Sequence, residues 1–198
     1  MQNKTFLLGK SLIVKQALTK KKAFTLAEVL ITLTIIGVVA ALTVPSLVKS
    51  FQETQFKNSF KKIYSDFSQA SKLMVVENGG DLVNYFAGSG NSPPERYCSY
   101  MKCVKICKQG VMAPKGNCWH VDNSFFKLNG AGDNMSISSG AILANGILVG
   151  FYHDDVTCAK PENGINICNS IFVDVNGWKG PNTWGKDIFA FYTTRAGI

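Results

Sequence analysis

Residues 20–48 read KKKAFTLAEVLITLTIIGVVAALTVPSLV, and this stretch divides the chain. From Val29 to Val48 no side chain is charged. A helix rising about 1.5 Å per residue carries such a run across about 30 Å, the depth of a bilayer's hydrocarbon core. Lys20, Lys21 and Lys22 stand directly before it, and Lys4, Lys10 and Lys15 lie upstream, with no acidic residue among residues 1–22. A cationic segment ahead of an apolar run holds its end on the cytoplasmic side and sends the remainder out.

The whole chain of 198 residues carries 21 basic and 13 acidic side chains, a formal charge of +8. Six of the basic residues belong to residues 1–22, so the remainder is nearly balanced at 15 against 13. The surplus is therefore a leader property and not the footprint of a nucleic-acid-binding face. Nucleic acid is not expected as a partner unless the protein serves DNA uptake. With 46% hydrophobic and 17% charged residues, the composition excludes a disordered or coiled-coil chain. The length fits one head with an apolar extension. All six cysteines, Cys98, Cys103, Cys107, Cys118, Cys158 and Cys168, fall in the portion expected outside, where disulfides persist.

An ordinary secretory signal is cut after its apolar stretch. Here the small residue Ala23 precedes the stretch, so a cut between Ala23 and Phe24 would leave the helix in the mature protein. Glu28 then poses a problem, because a carboxylate at the edge of an apolar span is costly unless paired. No Lys or Arg lies between Phe24 and Lys49. The nearest cation after such a cut is the new α-amino group of Phe24, four residues away on the same helix or offered by a neighbouring copy.

The segment Lys22-Ala23-Phe24-Thr25-Leu26-Ala27-Glu28, followed by the apolar helix and Pro45, closely resembles the N-terminal cleavage and methylation motif of type IV prepilins and type II secretion pseudopilins. The resemblance covers about residues 20–50. It implies that a membrane prepilin peptidase cuts between Ala23 and Phe24 and methylates the Phe24 amine, and that Glu28 recruits the next subunit. It also implies other pilin or pseudopilin subunits and an inner-membrane assembly platform as partners. The family usually has Gly immediately before the cut, where this chain has Ala23. Pro45 removes a helical hydrogen bond and crowds the Ala41 carbonyl. In the family, the region corresponding to Gly37 and Pro45 extends when subunits pack into a fibre.

Beyond Pro45, Phe56, Phe60, Ile63, Phe67, Ala70 and Met74 recur at alternating spacings of four and three, which marks one face of a helix. Gly79-Gly80 should end it. The expected organisation is a leader at 1–23, an apolar transmembrane or filament-core helix at 24–48, an amphipathic stalk helix at 49–78 and an exported, disulfide-containing head at 79–198. A short helix is expected over 95–108. Strands are expected at 141–144 and 147–152, joined by an Asn145-Gly146 turn, and at 170–174 and 187–192. The fold class is therefore α+β, a long N-terminal helix packed on a small antiparallel sheet of about four strands, which is also the architecture the pilin resemblance implies.

The cysteine spacings fit no paired zinc motif, and disulfides are the stronger reading. Cys107 with Cys118 and Cys158 with Cys168 are the favoured local loops, with the pairing of Cys98 and Cys103 left open among the many connectivities that six cysteines allow. Asp174, Asn176 and Asp187 offer hard oxygens for calcium, and major pseudopilins hold calcium in a C-terminal loop of comparable position. A third early ligand and a closing glutamate are absent, so capping of tight turns is the competing reading.

His120 and His153 are the only histidines, no nucleophile elbow occurs, and Asp154-Asp155 beside His153 reads as a loop. An enzyme is not expected. The expected function is a structural filament subunit that starts in the bacterial inner membrane as a single-pass protein with an exported C-terminus and then enters an extracytoplasmic filament. The alternative is a membrane-anchored exported binding domain or enzyme that does not polymerise.

Overall fold

The structure, a computed structural model, describes residues 24–90, 92–108, 114–121 and 124–198. The leader, Ala23 included, lies outside the described residues. The chain divides into two compact units, one ending at Ser46 and the other comprising Leu47–Ile198, so the division falls one residue after Pro45.

Helix α1 runs from Leu26 to Glu77 and passes through Pro45 without a break. Its end follows from two glycines. Gly79 has a φ of +80°, and the amides of Gly80 and Gly79 donate back to the carbonyls of Val75 (2.8 Å) and Val76 (3.3 Å). That pair of bonds is the Schellman arrangement, which needs a left-handed residue where Gly79 stands. Within the second unit, the helix buries the stripe expected of it. Ile63, Phe67, Ala70 and Met74 are all buried, while Phe56 and Phe60 are partly buried against the same core.

Helix α2 spans Pro93–Tyr100, not 95–108. Ser92 and Glu95 form a capping box, and the prolines at its first two positions forgo only amides that lack helical partners anyway. Met101 is already extended, and the alternating Cys103-Val104-Lys105-Ile106-Cys107 forms strand β1, Cys103–Cys107, where helix was expected. The Cys98–Cys103 disulfide joins this helix to this strand. Two short strands, β2 at Ser124–Phe126 and β3 at Gly132–Asn134, pair with each other, and Phe126 also bridges to Thr183.

The main sheet has six strands, two more than expected, and every pairing in it is antiparallel. Its remaining members are β4 (Ser139–Leu143), β5 (Leu148–His153), β6 (Lys160–Glu162), β7 (Ile165–Asp174) and β8 (Ile188–Thr194). The order is β1-β4-β5-β7, with β6 and β8 both pairing β7. Between β4 and β5 the turn takes in Ala144 as well as Asn145 and Gly146. The Gly146 amide donates to the Leu143 carbonyl, and Gly146 has a φ of +83°. A tight turn followed by a left-handed glycine replaces the two-residue turn.

Alternation sends the two faces of the sheet into two cores. Ala141, Val149, Phe151, Ile171 and Val173 meet the α1 stripe, with the Phe67 ring 4.7 Å from Tyr97 and 5.4 Å from Phe191. Leu148 and Ile188 form the other core with Trp119 and Met135. Both faces of the strands are therefore covered, which is why β5 begins with four consecutive buried residues.

Two predictions follow from this packing. Phe67→Ala empties the centre of the helix-side core and should destabilise the fold by about 3–5 kcal/mol in chemical unfolding. Arg195 donates to Asp81 through two nitrogens at 2.8 and 2.6 Å, which holds the Asp81 carboxyl below the ordinary aspartate range, with the Val83 amide adding to the effect. A depressed carboxyl contributes stability above its unfolded value and loses it as pH falls through the folded one. Both groups are exposed, so the contribution is small. Arg195→Gln should therefore lower the unfolding midpoint slightly at pH 7 and leave it unchanged in acid below the Asp81 titration. An equal deficit at both pH values would show that the ion pair is not the cause.

Candidate functional site

The first turn of α1 explains how Glu28 is tolerated before any partner arrives. Thr25 lies just outside the helix, and its backbone amide and hydroxyl each donate to Glu28 Oε2 at 2.8 Å. In return, the Glu28 amide donates to Thr25 Oγ1 at 3.2 Å. This is a reciprocal capping box, and it places the carboxylate at the helix end where the backbone dipole favours negative charge. Among the described residues no lysine or arginine pairs with Glu28. The Thr25-x-x-Glu28 spacing is itself a capping signal in the sequence, one that the demand of Glu28 for a cationic partner overshadows. The structure thus adds Thr25 to the group formed by Phe24 and Glu28. Phe24 itself is 85% exposed.

Past this turn the helix presents apolar side chains in every direction. Leu30, Ile31, Leu33, Ile35, Ile36, Val38, Val39 and Leu42 are all exposed. Such a surface is unfavourable in water and suits lipid or other apolar helices. The threonines within it are compatible with that surrounding. The hydroxyls of Thr32, Thr34 and Thr43 donate to the carbonyls of Val29 (3.0 Å), Leu30 (2.8 Å) and Val39 (2.9 Å), so each of these threonines satisfies its own donor in hydrocarbon. One helix of the described chain is long and apolar enough to cross a membrane, and it is this one.

At the other end of the chain, Asp174, Asn176 and Asp187 come together with two residues that the sequence did not single out for this loop, Asn182 and Thr183. Both carboxylates are fully buried. Asp174 Oδ1 accepts from the Asn176 amide at 3.1 Å, and Oδ2 lies 2.7 Å from His120 Nε2. Asp187 Oδ1 accepts from the Thr183 amide at 2.6 Å. Its Oδ2 accepts from the Asn182 amide at 2.9 Å and from Asn176 Nδ2 at 3.1 Å. Burial pushes the Asp174 carboxyl above its usual range, and the His120 contact pulls it back.

Every carboxylate oxygen in this cluster thus faces a nitrogen, most of them backbone amides organising the turns around Gly177 and Pro181. Calcium requires about six to eight oxygens directed at one point. Among the described residues, no group of three or more His, Cys, Asp or Glu side chains is arranged to hold a metal. As folded, the two carboxylates cap turns, while Asn176 Oδ1 and Asn182 Oδ1 are buried without a hydrogen-bond partner, and calcium enters no step of the function proposed below. EDTA should leave the thermal unfolding midpoint unchanged; a fall that added calcium reverses would assign these oxygens to the cation instead.

The three disulfides are Cys98–Cys103, Cys107–Cys118 and Cys158–Cys168, and no cysteine is free among the described residues. Each closes a short loop, for which chain-entropy reasoning gives about 2–4 kcal/mol of stabilisation. Asp155 accepts from the Thr157 amide and hydroxyl and from the Ala159 amide, while Asp154 binds Lys160 and the Ser170 hydroxyl. Both aspartates next to His153 therefore organise a loop.

Residues 18–44 match the family described as the prokaryotic N-terminal methylation motif. The chain carries the type IV prepilin-type signal. This signal, together with the apolar helix behind it, supports a membrane-anchored, exported precursor of the pilin or pseudopilin type, a class that is usually structural and not enzymatic. The match ends at Val44, so it speaks for the signal and not for the head. No characterised protein and no solved structure matches the chain.

Proposed function

We propose that this protein is a structural subunit of a type IV pilus-like or type II secretion pseudopilus filament. It is inserted in the bacterial inner membrane as a precursor, cut by a prepilin peptidase between Ala23 and Phe24, and methylated on the Phe24 amine. The observation that carries this reading is the Phe24, Thr25 and Glu28 group at the head of a helix whose apolar surface is exposed on all sides. A membrane anchor alone requires the apolar surface but not the carboxylate.

Cleavage would convert a peptide nitrogen at Phe24 into a cation within one helical turn of Glu28. In the precursor, the Thr25 donors satisfy one carboxylate oxygen without neutralising its charge. A neighbouring subunit's amine supplies the neutralisation, and in an apolar surrounding that attraction is far stronger than in water. Assembly through this pair would also cover the helix with others like it, removing the same apolar surface from lipid. The assembly platform and the other subunits of the machine are the partners this reading requires.

Two measurements test it. Co-expression with a prepilin peptidase should yield a protein whose intact mass has lost residues 1–23 and gained one methyl group; a mature protein still beginning at Met1 would defeat the proposal. Glu28→Ala should insert into the membrane and be cleaved as the parent is, yet be depleted at least about tenfold from sheared filaments, as expected for loss of a desolvated charge pair worth a few kcal/mol. Equal incorporation would remove Glu28 from the assembly step.

A further inference from the structure

A cavity of about 280 Å³ opens in the head where the start of α2, the lead-in to β4 and the end of β5 meet. Ser92, Glu95, Lys108, Ser138, Ser139 and His153 line it. None of them belongs to the N-terminal group or to the C-terminal loop, and no role described above uses the space.

The charges in its wall cancel. Glu95 accepts from the Ser92 amide (3.0 Å) and hydroxyl (2.6 Å) and pairs with the Lys108 ammonium. An anion entering the cavity meets Glu95, and a cation meets Lys108, so neither is favoured. An apolar ligand would strip water from the serine hydroxyls without replacing their hydrogen bonds. What remains in the wall is the Ser92 and Ser138 oxygens, which can still accept although their protons are engaged by Glu95 and the Phe151 carbonyl, together with the Ser139 hydroxyl and a histidine ring. Burial holds the His153 ring below the usual histidine range, against the pull of Asp154 and Asp155, so at neutral pH it offers one donor nitrogen and one acceptor.

A second observation points to the same place. His153 Nε2 is shut off from solvent and has no hydrogen-bond partner in the protein. Directly opposite it across β5 and β7, on the same face of the sheet, stands Asn169, fully buried with neither Oδ1 nor Nδ2 bonded. Buried polar atoms are ordinarily paired, and exceptions require a cause. The neighbours of this pair obey the rule. Tyr97 Oη and Thr193 Oγ1 share a hydrogen bond of 2.8 Å, and Ser138 Oγ donates to the Phe151 carbonyl at 3.0 Å. Arg96 Nε and the Oδ1 atoms of Asn176 and Asn182 are also buried without a partner, but His153 and Asn169 face each other, and one of the two lines the cavity. Turning the His153 ring toward the cavity breaks no bond at Nε2 and allows one to form.

We propose that this cavity binds a neutral, polyhydroxylated ligand, a single sugar ring or the terminal residue of a glycan, through the hydroxyls of Ser92, Ser138 and Ser139 and the ring of His153. Vicinal hydroxyls can donate to the Ser92 and Ser138 oxygens and exchange donor and acceptor roles with Ser139 and the His153 ring, and they carry no charge to conflict with Glu95 or Lys108. The inference does not depend on the filament reading, since it concerns the head alone.

The test uses the full chain in phosphocholine micelles, which contain no sugar, with histidine rings isotopically labelled. Glucose, galactose, N-acetylglucosamine and N-acetylgalactosamine are titrated separately while ring shifts and saturation transfer to the sugar protons are followed. At least one should move the His153 resonances saturably, with a dissociation constant of about 1–10 mM, while His120 stays in place. Ser139→Ala should weaken that sugar several-fold with an unchanged unfolding midpoint, and His153→Phe should abolish saturation transfer. No shift with any of the four sugars, or binding that survives both substitutions, would overturn the proposal and leave the cavity as a site for water only.

Discussion

The constraint on which the rest depends is a change of solvent part-way along one helix. Up to Val48 the side chains of α1 are apolar all round, and beyond it they are apolar on one face only. A uniform apolar surface cannot be satisfied by a single packed sheet, which can cover one side at most. The second part needs only a sheet, and it has one. Ile63, Phe67, Ala70 and Met74 are buried against strands of the same unit, whereas nothing among the described residues covers Leu30, Ile36 or Leu42. The first part must therefore find its surroundings outside the chain, in lipid or in other helices.

The two parts also account for their polar groups in different ways. In the apolar part each threonine hydroxyl returns to a carbonyl of its own helix, so nothing is owed to the surroundings, and the only charge is at the first turn. In the head, charge is buried freely, but only where backbone amides or a cation meet it, as at Asp154, Asp174 and Asp187. Glu28 belongs to neither regime. Two donors from Thr25 hold it, yet its charge is not cancelled. A carboxylate positioned and incompletely compensated at the border of an apolar rod is a half-made interaction, and the proposed cleavage next to Phe24 would create a complementary group nearby.

Most of the architecture was legible in the sequence because each feature had one physical reading. The stripe from Phe56 to Met74 has a helical period and no other, and Gly79-Gly80 supply the left-handed residue that a Schellman ending requires. The two disulfide loops favoured from the sequence, Cys107–Cys118 and Cys158–Cys168, form, while Cys98 and Cys103, closer in sequence than either pair, are joined by the packing of α2 beside β1. What escaped detection depended on competition between local signals. The prolines after Ser92 announced a helix, but its length was decided by the alternation of Cys103 to Cys107, which favours a strand once the chain can pair with β4. Strands β1 and β6 are short and half-polar, so their membership of the sheet comes from their partners and not from their own composition. The Thr25–Glu28 box was present as a spacing, yet it lay within a segment whose apolarity directed attention to charge pairing.

The contrast between signal and head has the same origin. In the N-terminal segment almost every residue meets a separate demand: a basic flank for orientation, a small residue at the proposed cut, a capping hydroxyl, a carboxylate at the helix head, and threonines that return their hydroxyls to their own helix. Few sequences satisfy all of these at once, so a motif of this kind is recognisable from residues 18–44 alone. The head answers a looser demand, which is to cover one helical stripe with an apolar sheet face and to keep its loops closed. Volume and pattern suffice for that, and many side-chain combinations supply them. Freedom of this sort is where individual function can accumulate. Among the residues of the head with a buried polar atom left unpaired, His153 and Asn169 are informative because they face each other and nothing in covering the stripe requires them.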